Sequence, residues 1–304
     1  MINMHPNCPL VTVVIITYNS ATTVIETLDS IGNQTYSNIE LIISDDCSKD
    51  NTIDLVNNWV VQNKNRFVRI EVVKSSINTG VAPNLNRGID KAKGEWIKSL
   101  AGDDTLVTTA IEEYVRFVQE NNCCICFAKM RTFGIDEKAN QLNMSFLEDI
   151  YKDLKLPTRE QQYSVALKRH IMPGPGIFYK RSFFYEIGRF NEKYPMAEEY
   201  DFQLRVLDRT KFYFIDKYLV NWRISPSSLS HSIDNPFVKD LTNTFQEIRL
   251  PRMLKERMYL QAWDSVISNF INSKRNTSWY LYLKLFYLLS PYWIYNKILF
   301  LLKK

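Results

Sequence analysis

The chain has 304 residues, of which 45% are hydrophobic and 23% charged. That suffices for one large α/β domain or two modest ones, and it excludes disordered and fibrous classes. The formal net charge of +5 is uneven: after residue 249, nine basic residues stand against only Glu256 and Asp264, so the basicity belongs to the tail.

In chain order, "LVTVVIIT" (10–17) is a continuous β-branched run, as expected for a strand covered on both faces. Val24, Leu28 and Ile31 follow at helical spacing, and "IELIISDD" (39–46) is a second strand that ends in acids. A second helix carries Ile53, Val56 and Val60, and "FVRIEVV" (67–73) is a third strand. Pro83 suits the first turn of a third helix, expected to run to about Lys93 and stop at Gly94. "EWIKSLA" (95–101) is a fourth strand, with "GDD" at its carboxyl end. Beyond it come a helix at about 108–120, a strand within "CCICFAKM", a long polar stretch near 134–165, and a helical region from 238 onward.

Strands separated by helices imply βαβ units, and in such sheets ligands bind beyond the carboxyl ends of the strands. Those ends carry Thr17-Tyr18-Asn19, Asp45-Asp46 and Asp103-Asp104. The turn after the first strand, "YNSATT", lacks the glycines of a dinucleotide or P-loop site. An acidic edge takes a phosphorylated ligand only through a cation, and paired aspartates are hard oxygen ligands for Mg²⁺ or Mn²⁺. Taken alone, Asp103-Asp104 reads as a solvated turn, and it is Asp45-Asp46 on the neighbouring strand end that tips the reading to a cation site.

Five cysteines, three of them in one strand, show neither a disulfide framework nor zinc-site spacing. Reduced thiols, and an N-terminus that reads "MINMHPNCPL" with no apolar leader core, lead to the expectation of a cytoplasmic protein.

Three blocks then carry a resemblance. "VTVVIITYNSATTVIETLDSIGNQTYSNIELIISDDCSKDNT" (11–52), "NTGVAPNLNRGIDKAKGEWIKSLAGDD" (78–104) and "GPGIFYKRSFFYEIGRFNEKYPMAEEYDFQLRV" (174–206) occur in the order and spacing of the family 2 glycosyltransferases. From residue 9 to about 223 the chain resembles that family, of the bacterial O-antigen and capsule type. The resemblance implies a GT-A fold, with a mostly parallel central sheet flanked by helices. Residues 1–235 would form this domain, with a nucleotide-sugar half at about 9–105 and an acceptor half at about 106–235. A basic, aromatic helical extension would occupy 236–304.

The same resemblance implies roles. Thr17, Tyr18, Asn19 and Asp46 would line the nucleotide base pocket, with Asp46 accepting a ring N–H and Asp45 as an alternative that orients the loop. Gly80 and Asn86 fall in the nucleotide-side segment. Asp103 would meet the ribose or the cation, and Asp104 would hold the Mn²⁺ or Mg²⁺ that grips the diphosphate. Glu199 falls at the catalytic base, with Glu198 beside it. His231 and Arg223 in the loop after the core are candidates for diphosphate contact, as is Trp222. The chain departs from the family pattern where Ala101 replaces the first aspartate of the strand-four motif, and where Glu198-Glu199 replaces the usual Glu-Asp.

The implied reaction is a metal-dependent, inverting transfer from a nucleotide-diphosphate sugar, UDP-sugars favoured, to a hydroxyl of a saccharide or lipid-linked saccharide. A nucleotidyltransferase and a non-catalytic membrane-docking scaffold are the alternatives. Nucleic acid is not expected as a partner, and a second copy of the chain is the alternative to a membrane as the surface that the tail meets. "WYLYLKLFYLLSPYWIYNKILFLLKK" (279–304) has no uninterrupted apolar run of spanning length, and its Trp, Tyr and Lys content suits an anionic membrane interface. The expected location is the cytoplasmic face of the inner membrane.

Overall fold

A computed structural model describes residues 8–134, 137–224 and 236–273. Its centre is an eight-stranded sheet in the order β3-β2-β1-β4-β7-β6-β8-β5. The first half of the chain builds the parallel part: β1 (Val11–Thr17), α1 (Val24–Gly32), β2 (Ile39–Asp45), α2 (Thr52–Asn63), β3 (Arg69–Lys74), α3 (Val81–Ile89) and β4 (Trp96–Ala101). Every hydrophobic residue of β2 is fully buried, and so are all of those of β1 except the half-buried Ile16. That explains why both strands read as apolar runs without alternation.

The register levels the carboxyl ends. Thr17 stands opposite Asp45, Ile16 opposite Ala101, and Asp45 opposite Lys74. The expected third helix is shorter than its sequence signal: it starts at Val81, two residues before Pro83, and ends at Ile89.

The second half mixes directions. A two-residue strand β5 (Thr105–Leu106) and α4 (Ala110–Asn121) lead to β6 (Ile125–Phe133), then α5 (Glu137–Leu154), α6 (Arg159–Ala166), β7 (Ile177–Lys180), α7 (Arg181–Glu186), α8 (Glu198–Leu207) and β8 (Tyr213–Arg223). β7 runs antiparallel to β4 and β6, β8 runs parallel to β6, and β5 pairs antiparallel with β8. The sheet is therefore parallel in its first half and mixed in its second. The polar stretch near 134–165 is two helices: α5 buries Leu147, Ile150, Tyr151 and Leu154, and a capping box at Thr158 and Gln161 starts α6. Helices α9 (Pro236–Thr244), α10 (Leu250–Lys255) and α11 (Tyr259–Ser273), with a π-helical turn at Phe245–Arg249, form the described part of the extension. The 279–304 segment lies outside the described residues.

Candidate active site

The site begins where β1 and β2 end. Asp45 is buried, and its carboxylate accepts from the Thr17 hydroxyl at 2.8 Å and from the Ser48 backbone N–H at 2.9 Å and its hydroxyl at 2.5 Å. It thereby ties the start of the loop after β2 to the end of β1. Ser48 Oγ in turn accepts from the N–H of Asn19, whose own Oδ1 accepts from the Lys49 N–H. Asn19 sits at φ 51°, a left-handed conformation that asparagine tolerates better than most residues. Tyr18 is left 47% exposed beside this loop.

Asp46 is held by the protein itself. Its two carboxylate oxygens take four donors: the Thr79 N–H and hydroxyl, the Gly80 N–H, and an Arg87 guanidinium nitrogen at 2.9 Å. It is the anchor of the 78–80 loop, which folds over the strand ends. Gly80 has φ 93°, and a Cβ there would lie 2.9 Å from the Cβ of Pro195. The Ala82 N–H donates to the Pro195 carbonyl, so this loop abuts the entry to α8. Asn86 is buried, and its amide is held by the Phe190 backbone and Glu192, which makes it a brace for the 190–192 loop.

At the end of β4 the chain turns sharply, with the Asp104 N–H donating to the Ala101 carbonyl. Gly102 permits the approach to β1, since a Cβ there would meet Thr17 Cγ2 at 2.9 Å. The turn leads straight into β5, and pairing of β5 with β8 delivers Arg223 to the two aspartates. The Arg223 N–H donates to Asp104 Oδ1 at 2.8 Å and its Nε to the Asp103 carbonyl at 2.9 Å, while its guanidinium also meets Glu26 and lies over the Phe133 ring. Asp104 is buried and Asp103 half-buried. Asp103 is the more open carboxylate of the two, and Asp104 the buried one.

Burial raises the pKa of Asp103, and burial together with the neighbouring Asp103 charge raises that of Asp104 well above the ordinary range. Two adjacent carboxyls held in this way gain from a nearby positive charge. Among the described residues no cluster of three or more His, Cys, Asp or Glu is placed to hold a metal ion. Among the described residues, the paired hard oxygen donors at the end of β4 are those of Asp103-Asp104. That donor set fits Mg²⁺ or Mn²⁺ completed by phosphate and water oxygens.

A buried cation lies below this edge. Lys98 in β4 is fully buried, and Nζ donates to the carbonyls of Ser99, Pro175 and Ile177. Burial pulls its pKa down to about 7, against the opposing pull of Asp104. The Tyr114 hydroxyl donates to the Gly176 carbonyl. Lys98 and Tyr114 together pin the 175–177 backbone.

That pinned segment carries the second acid pair. The Gly174 N–H donates to Glu199 Oε1. A Cβ on Gly174 would sit 2.1 Å from that oxygen. His170 Nε2 is 3.2 Å from Glu199 Oε2, with the imidazole stacked on Tyr200 at 4.4 Å between centroids. Burial and the neighbouring Arg249 hold the His170 pKa down to about 3, so its ring is neutral. Glu199 has a pKa well above the ordinary value through burial and the adjacent Glu198. Glu198 is 4% exposed and pushed up to about 7 by burial and then by Asp240. The side chain of Glu199 keeps 26% exposure, so it is the accessible acid of the two.

His231 lies outside the described residues. Arg87, Lys98 and Gly174 are not singled out by their motifs, whereas His170 stands with His231 among the histidines the sequence offers. A lysine inside an apolar strand and a glycine in "PGPG" are the only sequence signals that mark two of them.

The glycosyl transferase family 2 model matches residues 12–188. An uncharacterised glycosyltransferase of Rickettsia felis is 31% identical over 233 residues, 75% of this chain and 36% of that protein. The Escherichia coli UDP-Glc:alpha-D-GlcNAc-diphosphoundecaprenol beta-1,3-glucosyltransferase WfaP is 38% identical over 110 residues, 36% of this chain and 41% of that protein. The chain thus spans well under half the length of these relatives. The mannosyltransferase PcManGT of Pyrobaculum calidifontis, solved with GDP-Man and Mn²⁺, superposes with a TM-score of 0.57 at 16% identity, covering 96% of this chain and 88% of that one. The fold is of the GT-A type, and the chain belongs to glycosyl transferase family 2.

Proposed function

We propose that this protein transfers a sugar from a nucleotide-diphosphate donor to a hydroxyl acceptor in a single, inverting displacement. The observation that carries the reading is the pairing of two acid pairs, each with one buried and one more open carboxyl, Asp103-Asp104 at the end of β4 and Glu198-Glu199 at the start of α8. They are joined through Lys98 and the 174–177 segment. Tyr18 and the Asn19–Ser48 loop offer an exposed aromatic ring and a rigid backbone for a nucleotide base. Asp103, backed by Asp104, would hold a divalent cation, whose positive charge stabilises the diphosphate as it leaves. Glu199 takes the acceptor proton, and its elevated pKa suits a base that must work near neutral pH.

The donor and acceptor are supported by the relatives. UDP-Glc in the name of the E. coli relative supports a UDP-sugar, and its diphosphoundecaprenol acceptor supports a lipid-linked saccharide of a surface polysaccharide. A lipid-linked acceptor agrees with a basic, aromatic tail that contacts an anionic membrane. Among the described residues no helix is long and apolar enough to cross a membrane.

Thermal unfolding with UDP and Mn²⁺ tests the reading. Stabilisation that requires both together is expected, and a subsequent screen of UDP-, GDP- and dTDP-sugars for metal-dependent hydrolysis identifies the donor. Absence of stabilisation by any nucleotide would favour a scaffold that keeps the fold without the reaction.

A further inference from the structure

Helix α11 is built inside out. Tyr259, Trp263, Val266 and Phe270 recur at intervals of three and four residues, which places them in one narrow sector of the helix, with Leu260 at its edge. They are 61, 58, 40, 54 and 47% exposed in the order Tyr259, Trp263, Val266, Phe270, Leu260. The polar residues Gln261, Asp264, Ser265 and Ser268 are each less exposed, and Ala262 is buried. A surface helix ordinarily turns its apolar stripe to the core and its polar face to water. Scattered exposed apolar residues are commonplace, but a continuous aromatic stripe that displaces the polar face marks a contact surface.

Charge identifies the partner. Lys255 and Arg257 precede the stripe, and Lys274 and Arg275 follow it in the sequence. From 274 to 304 there are four further lysines and no acid at all. A surface that accepts tryptophan and tyrosine rings at its polar boundary, apolar side chains beneath it and lysines along it is a sheet of anionic lipid headgroups. We propose that the outward face of α11 docks on an anionic membrane, so that the membrane grip begins at Tyr259 rather than in the terminal segment. This rests on the reading of the tail as membrane-facing and assigns part of the grip to a defined helix face.

The test uses the full-length chain sedimented with vesicles of phosphatidylglycerol or of phosphatidylcholine. Wild type is expected to bind the former and not the latter. Trp263→Gln with Phe270→Gln is expected to weaken phosphatidylglycerol binding by about tenfold or more, with the thermal midpoint unchanged, since both positions are exposed. Lys297→Glu, Lys303→Glu and Lys304→Glu together test the tail separately. If the helix variant binds like wild type while the tail variant does not, the face is overturned and the tail reading stands. Failure of the wild type to bind either vesicle overturns both. A wild-type dimer that becomes a monomer in the helix variant, with vesicle binding intact, overturns the proposal in favour of a second copy of the chain.

Discussion

The backbone N–H of Gly174 holds Glu199 Oε1, and any side chain at Gly174 would occupy the position of that oxygen. The glycine therefore serves as both donor and clearance. Gly174→Ala keeps the N–H yet forces the Glu199 carboxylate aside. Because a displacement of about 1 Å at a reacting group costs on the order of 100-fold, kcat is expected to fall by about that factor. UDP affinity, measured by calorimetry, is expected to stay within about twofold. An equal loss in both would place Gly174 in donor binding.

Lys98 joins the two halves of the site. Its ammonium satisfies carbonyls of Ser99, Pro175 and Ile177 while lying near Asp104. Lys98→Met preserves the volume of the stem and strands those carbonyls and the Asp104 charge. The expected cost is about 3 kcal/mol of folding stability, read by urea unfolding. A cost under about 0.5 kcal/mol would mean that the buried amine is not the tie.

Glu198 makes stability depend on pH. Its folded pKa of about 7 lies above its ordinary 4.5 because of burial. A carboxyl with a raised folded pKa binds its proton more tightly in the native state. The native state therefore loses relative stability as pH rises from about 4.5 through about 7, and the loss levels off above that. Glu198→Gln removes that loss, so the variant is expected to be more stable than wild type by roughly 2 kcal/mol at about pH 8. The difference should vanish below about pH 4.5, as followed by thermal melts across that range.

The strand ends that frame the site are legible in the sequence because β1 and β2 are covered on both faces and write themselves as apolar runs that stop at polar residues. Asp103-Asp104 and Glu198-Glu199 are visible as acids at element boundaries, but only the neighbouring motifs and the family resemblance mark them as more than a solvated turn and a charged first helix turn. The long-range partners are not legible. The four donors to Asp46 come from Thr79, Gly80 and Arg87, more than thirty residues away, and only the βαβ crossover brings them together. The contact of Asp104 with Arg223 follows from pairing of β5 with β8, whose residues lie more than a hundred positions apart. The 134–165 stretch hides two helices because its apolar residues are thinly spaced, and tertiary packing of Leu147, Ile150 and Tyr151 supplies what the local pattern lacks.

Asp103 is the more open carboxylate at the β4 turn, so the cation is expected to depend on it. Asp103→Asn should raise the Mn²⁺ concentration needed for half-maximal thermal stabilisation in the presence of UDP by about tenfold or more. It should leave the metal-free melting temperature within about 2 °C. An unchanged Mn²⁺ requirement would return the ligand role to Asp104.

The central claim is that Glu199 is the base of a sugar transfer. Its most direct test is single-turnover transfer by Glu199→Gln, alongside UDP binding to the same variant. The account predicts that transfer falls by about 1,000-fold or more while UDP affinity is retained, because glutamine keeps the shape and the contact with Gly174 but cannot accept a proton. Transfer by Glu199→Gln at the wild-type rate would contradict it.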